Sequence, residues 1–140
     1  MSKVAIFLPA FAMVALTVVV WLRMYFARIA QMKRERIHPQ AVATSAQSAA
    51  MLTDSRAADN FRNLFELPVL FYLALVVAAL TGQTGAFVLI LAWLFVALRV
   101  LHSVIQCSYN KVMHRFRAYL AGSIVLWVLW GVLAVGLLRG

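Results

Sequence analysis

The sequence predicts an all-α integral membrane protein, folded as one bundle of four membrane-spanning helices. Its 140 residues suit a single domain. Hydrophobic residues make up 65% of the chain and charged residues only 12%, which is more apolar than soluble globular domains are. The apolar residues fall into four segments with basic residues at their ends, the pattern of a multi-pass membrane protein. We therefore expect one four-span domain over residues 1–140 and contact with membrane lipids.

The first span is expected at residues 4–28. Residues 4–22 form 19 consecutive positions without a charge, about the length that a helix needs to cross the hydrocarbon core. The basic cluster 33–36 that follows is expected to anchor the chain on the cytoplasmic side, although one of its arginines could instead bind a ligand carboxylate. The small, polar run 41–55 is expected to be a loop that orders in the assembled protein.

The second and third spans are expected at residues 57–80 and 86–109. Their uncharged parts, 67–80 and 86–98, contain only 14 and 13 residues. At about 1.5 Å per residue these cover only ~20 Å of a ~30 Å core, so both helices must continue through Glu66 and Arg99. Both residues lie about 21–22 Å from the turn 81–85 that joins the helices. An acid and a base at equal depth predict an ion pair.

The ends of the remaining helices follow from capping and charge. The second helix is expected to begin after an N-cap at Asp54 or Ser55, and the fourth span is expected at residues 115–138. The connections 29–56 and 110–114, with the helix ends beside them, hold eleven of the thirteen Lys and Arg residues. We therefore expect these two loops to be cytoplasmic and both termini to be non-cytoplasmic.

Composition also excludes several functional classes. The net charge of +9 is concentrated at the ends of apolar segments, so it indicates membrane orientation rather than a nucleic-acid partner. The single cysteine, Cys107, excludes an intramolecular disulfide and a cysteine-based metal site, and we expect no metal. The first span contains no acidic residue of the kind that small proton-coupled exporters need.

Polar side chains at helical spacing predict a binding site on the second and third helices. Arg56, Asn60, Asn63 and Glu66 fall within about a third of a turn, and lipid cannot satisfy such a stripe. On the third helix the polar positions that share one face are Arg99, His102, Gln106 and Tyr109. Three structural alternatives remain open: a Glu66–Arg99 ion pair that fixes register, interhelical hydrogen bonds from the two asparagines, and a histidine satisfied within the bundle.

These motifs resemble those of the membrane-associated proteins in eicosanoid and glutathione metabolism, the MAPEG family. Arg56-x3-Asn60 and Asn63-x2-Glu66, followed by Pro68, look like its Arg-x3-Asn-x2-Glu signature. Arg99-x2-His102-x3-Gln106 looks like its Arg-x2-His/Tyr-x3-Tyr pattern, and Arg115 falls where the family places a catalytic arginine. One register cannot satisfy all three positions of the first motif: matching Asn63 and Glu66 puts Asp59 at the arginine position, and Gln106 replaces a tyrosine.

The resemblance implies a bacterial-type member in an inner membrane, assembled as a homotrimer with glutathione as co-substrate at subunit interfaces near the cytoplasmic face. It implies a transferase or peroxidase that acts on lipophilic electrophiles or lipid hydroperoxides. Arg115 would stabilise the glutathione thiolate, because a nearby guanidinium lowers a thiol pKa. The expected glutathione-binding residues are Arg56, Asn60, Asn63, Glu66, Arg99, His102, Gln106 and Tyr109. The alternative is a non-catalytic, lipid-binding or scaffold member.

Overall fold

The computed structural model describes residues 3–140, and its regular structure there is entirely helical. The α-helices are α1 (Leu8–Arg34), α2 (Ser45–Met51), α3 (Arg56–Asn63), α4 (Leu67–Leu80), α5 (Ala86–Cys107) and α6 (Val112–Arg139). Short 3₁₀ turns, Ala5–Phe7 and Pro39–Val42, precede α1 and α2. Four helical stretches are long and apolar enough to cross a membrane: Ala5–Arg34, Arg56–Leu80, Ala86–Cys107 and Val112–Arg139.

Helix α1 continues beyond the expected end at residue 28. It includes Lys33 and Arg34 in its last turn, where cationic side chains interact favourably with the carbonyl end of the helix dipole. The chain then leaves the helix through Arg36, which has a left-handed backbone (φ 53°). Part of the basic cluster therefore belongs to the helix itself.

The run 41–55, which was expected to be a loop, includes helix α2 and is therefore partly helical. Helix α2 begins with a capping box, in which the Thr44 hydroxyl accepts from the Gln47 backbone N–H while the Gln47 side chain accepts from the Thr44 backbone N–H. The buried amide of Gln31 in α1 donates to the Thr53 hydroxyl at 3.2 Å and to the Met51 carbonyl at 3.4 Å. The small residues of this run thus form a short, capped helix whose C-terminal end is hydrogen-bonded to α1.

The second predicted helix is interrupted before its apolar part. The stretch Arg56–Leu80 passes through Glu66 as predicted, but its helix is not continuous, because α3 ends at Asn63 and α4 begins at Leu67. Pro68 gives the physical reason: it has no N–H to donate to the carbonyl of Leu64, and its ring clashes with that carbonyl in a continuous helix. The start of α3 agrees with the expected capping site, because Ser55 is its N-cap residue.

Helix α5 lies at the centre of the bundle, where it contacts α1, α3, α4 and α6. The core includes a stacked pair, Phe71 of α4 and Phe95 of α5, whose ring centroids are 4.4 Å apart. Buried leucines from α6, including Leu126 and Leu129, belong to the same apolar cluster. Along α5, the buried polar residues come after the apolar core residues, toward the C-terminal end of the helix. The candidate site therefore lies near that end of α5.

Candidate functional site

A ladder of polar contacts joins α3 to α5. Arg99 Nη2 donates to Asn63 Oδ1 at 2.6 Å, and one turn further along α5 the Ser103 hydroxyl donates to Asn60 Oδ1 at 3.2 Å. Asn60 Nδ2 in turn donates to Cys107 Sγ at 3.4 Å. Residue numbers fall along α3 as they rise along α5, so the helices run antiparallel. The stripe predicted on the second helix therefore faces protein, and the asparagines form the interhelical hydrogen bonds left open as an alternative.

The predicted ion pair between Glu66 and Arg99 does not form directly. Within residues 3–140, no nitrogen of Arg99 lies within 4.0 Å of a Glu66 carboxylate oxygen. Asn63 stands between them: its Oδ1 accepts from Arg99 and its Nδ2 donates to Glu66 Oε2 at 3.3 Å. The interruption after Asn63 explains this arrangement, because Glu66 no longer follows the α3 face and is exposed.

A cavity of about 240 Å³ lies between α5 and α6, beside Asn63 of α3. Five of the seven residues that line it are polar: Asn63, His102, Gln106, Arg115 and Tyr119. Val112 and Phe116 complete the lining. Arg115 is the charged residue of this lining, so the cavity is suited to an anionic group.

Buried polar atoms without partners mark the same face of α5. Arg99 Nε, His102 Nδ1 and Gln106 Oε1 have no hydrogen-bond partner among the residues that the structure describes. The three side chains are only 2%, 3% and 6% exposed, respectively. Buried polar groups are normally hydrogen-bonded. The unpartnered arginine N–H, imidazole nitrogen and amide oxygen therefore indicate that a polar ligand or ordered water binds here.

Arg115 is held at this cavity by the turn before it. Its Nη1 donates to Asn110 Oδ1 at 2.7 Å, and Asn110 has the left-handed backbone (φ 48°) that asparagine tolerates. Helix α6 begins at Val112, so Arg115 lies in its first turn instead of marking the start of the fourth span. The N-terminal end of a helix favours anions, which adds to the positive charge of the guanidinium.

Tyr119 belongs to the cavity lining but was not among the residues that the sequence predicted for the site. It lines the cavity one turn after Arg115, and its ring centroid lies 6.1 Å from that of His102. The i, i+4 spacing from Arg115 was the available signal. Tyr109, by contrast, is exposed and its hydroxyl lies 3.1 Å from Nδ1 of His114, away from the cavity.

Arg56 lies at a different cavity within the chain. This cavity, of about 510 Å³, is lined by Arg23, Phe26, Ala27, Asp54, Arg56, Ala57 and Cys107. Arg56 Nε and Nη2 donate to the two carboxylate oxygens of Asp54, both at 2.9 Å, and its Nη1 donates to the Ser108 carbonyl. The hydrogen bond from Arg56 lowers the pKa of Asp54 below its usual value. One chain thus brings together Asn63, His102, Gln106 and Arg115, and leaves Arg56 apart.

One comparison with known protein families gave a match. The model of the MAPEG family aligns with residues 6–135, which is nearly the whole chain and includes every residue of the α5–α6 cavity. No curated protein and no solved structure matched the chain significantly. The four long apolar helices and the family match agree, and the chain belongs to the MAPEG family.

Proposed function

We propose that this protein is a membrane-bound, glutathione-dependent transferase or peroxidase that acts on lipophilic electrophiles or lipid hydroperoxides. The MAPEG family includes glutathione transferases and related enzymes, and membership suggests a glutathione-related function. The observation that carries the proposal is the cavity between α5 and α6. It combines the Arg115 guanidinium with the unpartnered polar atoms of His102 and Gln106.

These groups match what glutathione requires. The tripeptide has two carboxylates, an amine and a thiol, so it needs cations, an acceptor and a positive group near sulfur. In the proposed site Arg115 lies beside the sulfur and lowers the thiol pKa, which raises the thiolate fraction near neutral pH. Gln106 Oε1 supplies an acceptor, and Arg99 contributes positive charge through its contact with Asn63, which lines the cavity.

The reaction then begins from the thiolate. In transfer, the sulfur lone pair forms a bond to the electrophilic carbon, and the displaced electrons remain on the substrate until it is protonated. In peroxide reduction, the thiolate sulfur forms a bond to one peroxide oxygen as the O–O bond breaks, and the other oxygen leaves as an alcohol after protonation. A second glutathione then reacts with the resulting sulfenic acid to give the disulfide and water. Both reactions suit a substrate that enters from the bilayer beside the site.

A single chain provides only part of this site. The cavity of about 240 Å³ is smaller than the ~300–1,000 Å³ of typical ligand pockets. Arg56 lies at another cavity of the chain. In a head-to-tail contact, different surfaces of two copies meet, so Arg56 of one copy could face the α5–α6 cavity of the next. We therefore propose that the site is completed at the interfaces of a homotrimer, with Arg56 supplied by a neighbouring copy. The loops 29–56 and 110–114, and hence the site, are proposed to lie on the cytoplasmic side.

The proposal is tested by glutathione binding and thiolate absorbance of the purified protein. Wild-type protein should bind glutathione and develop the ultraviolet absorbance of a thiolate near neutral pH. Arg115→Ala should abolish the thiolate signal while the oligomer remains intact. The matched control is Arg117→Ala, which removes an exposed arginine two residues further along α6 and should leave the signal unchanged. Equal effects of both substitutions, or loss of the oligomer with Arg115→Ala alone, would contradict the role of Arg115.

A second candidate function is a non-catalytic lipid-binding or scaffold protein. The observation that favours it is that the polar motif residues Arg56, Asn60 and Asn63 already form hydrogen bonds with other residues of the chain. Asn60 is completely buried, so it is not available to a ligand. Glutathione binding without a thiolate signal, or no glutathione binding at all, would favour this function.

A further inference from the structure

A second candidate site lies between α1 and α5, on the side of the bundle away from Arg115. Two cavities adjoin there and share Arg23 and Cys107 in their linings. The larger one, of about 510 Å³, has a charged lining that includes Arg23, Asp54 and Arg56. The smaller one, of about 260 Å³, is mainly apolar. Together they form a cleft with a charged mouth and an apolar slot, which we call the α1–α5 cleft.

The depth of the cleft in a membrane follows from α1. Arg23 is the first charged residue after the uncharged stretch 4–22, so it marks the end of the apolar part. Trp21 and Tyr25, both exposed, stack at this level with their ring centroids 6.0 Å apart. Aromatic side chains of this kind are typical of the interface between hydrocarbon and headgroups. The charged mouth is therefore at the level of the lipid headgroups.

The slot extends from this level toward the middle of the membrane. It is lined by Leu16, Val19 and Val20 of α1 and by Val104 of α5. From Arg23 to Leu16 the α1 backbone rises about 10 Å, or two helical turns. An apolar groove of this length that begins at headgroup level is aligned like a lipid acyl chain.

The charge of the mouth is positive. Two guanidinium groups, those of Arg23 and Arg56, face one carboxylate, which Arg56 already binds through two hydrogen bonds. Arg23 Nη2 donates to the carbonyl of Cys107 at 3.1 Å, which orients its guanidinium over the cleft and leaves other N–H groups for an anion. A phosphodiester carries one negative charge and complements this mouth.

We propose that the α1–α5 cleft binds an anionic phospholipid of the surrounding bilayer, with its phosphate at Arg23 and one acyl chain between α1 and α5. The mouth is about twice as large as the slot, which suits a phosphate with its glycerol rather than a lone carboxylate. Basic pockets between membrane helices are known to bind such headgroups. The cleft shares Arg56 with the proposed glutathione site, but the phosphate is assigned to Arg23 and the acyl chain to the slot, neither of which lines the α5–α6 cavity.

The proposal is tested by native mass spectrometry of the purified full-length protein with added lipids. Phosphatidylglycerol should remain bound where phosphatidylcholine of the same chain length does not. Arg23→Gln removes the proposed phosphate contact, and Val19→Trp fills the slot without changing charge. Each should lower phosphatidylglycerol affinity roughly tenfold, the effect expected for one charge-assisted hydrogen bond or a blocked chain.

Matched controls lie on the same helix. Arg28→Gln removes a nearby arginine, and Val18→Trp adds a bulky side chain to an exposed position; neither residue lines the cleft. Both controls should retain wild-type lipid affinity. Helical circular dichroism and the melting temperature establish that each variant is folded, and Val19→Trp decides the question if Arg23→Gln does not fold.

Competition experiments identify the ligand class. Cys107 lines both cavities and is the only cysteine of the chain, so lipid binding should slow its alkylation by a maleimide. Glycerol phosphate, which has no acyl chain, and a long-chain fatty acid, which has no phosphate, should compete poorly with phosphatidylglycerol in native mass spectrometry. Displacement by the fatty acid at equal concentration would overturn the assignment to a phospholipid. Equal affinity of wild-type protein, Arg23→Gln and Val19→Trp would overturn the site itself.

Discussion

Arg99 donates from Nη2 to Oδ1 of Asn63 at 2.6 Å, and this bond is the contact that the buried guanidinium makes across to α3. Asn63 also lines the α5–α6 cavity, beside Arg115 and His102. One asparagine thus joins the interhelical ladder to the proposed glutathione site. Substitutions of Asn63 should consequently affect both the stability of the bundle and the position of the Arg99 guanidinium next to the cavity.

Removing this asparagine should destabilise the protein more than removing the nearby acid. Asn63→Ala leaves the buried Arg99 without its α3 partner and should lower the free energy of unfolding by about 2 kcal/mol, as for a hydrogen bond to a charged group. Glu66→Gln changes an exposed side chain that can still accept from Asn63, so its effect should stay within about 0.5 kcal/mol. Denaturant unfolding in detergent measures both. A larger loss of unfolding free energy for Glu66→Gln than for Asn63→Ala would support the direct Glu66–Arg99 ion pair that the sequence predicted.

Asn110 should act as a positioning residue for Arg115. Asn110→Gly keeps the left-handed turn accessible but removes the side chain that accepts from Arg115. We expect a melting temperature near that of wild type, with thiolate formation by bound glutathione displaced to higher pH. A pH titration of thiolate absorbance provides the measurement. An unchanged titration curve would show that Arg115 reaches its position without Asn110.

The Asp54–Arg56 contact should stabilise the protein at neutral pH and fail in acid. The pKa of Asp54 is lowered from 3.8, chiefly by the hydrogen bond from Arg56, so the folded protein binds this proton less readily than the unfolded chain does. Its contribution is complete above the unfolded value and disappears as the pH falls through the lowered folded value. The stability difference between wild type and Asp54→Asn should be constant from pH 7 to about 5 and shrink below about pH 4. A difference that grows in acid would contradict this sign.

A methyl group at Gly136 should displace the end of the Gln83 side chain, which lies directly against this position. A Cβ at position 136 would overlap Gln83 Oε1, and Gln83 Nε2 donates to the Leu133 carbonyl at 3.1 Å. Gly136→Ala should displace that side chain and lose the hydrogen bond, at a cost of about 1 kcal/mol. Gly131→Ala, with nothing within 4 Å, should gain up to about 1 kcal/mol from helix propensity. Thermal unfolding of both variants provides the comparison, and equal stabilities would exclude the steric effect.

The amino-acid sequence was enough to predict the membrane character, the four long apolar helices and the family. Each of these depends on local properties: the length of uncharged stretches, the positions of basic residues and the spacing of motif residues along a helix. The family match over residues 6–135 confirms the resemblance that the motifs indicated. His102, Gln106 and Arg115 all line one cavity. Helical spacing, at i+3 and i+7 from Arg99, predicted that His102 and Gln106 share a face, and Arg115 was expected at the site from the family resemblance.

The contacts between side chains of different helices could not be predicted from the sequence. Equal depth predicted that Glu66 would reach Arg99, but the interruption before Pro68 exposes Glu66 and puts Asn63 in between. Likewise, helical spacing placed Arg56 on the same stripe as Asn63, whereas the packing of α1 against α3 gives Arg56 a separate cavity with Arg23. The physical reason is that spacing fixes the face of one helix, while the rotation and register of its neighbours depend on packing of the whole core.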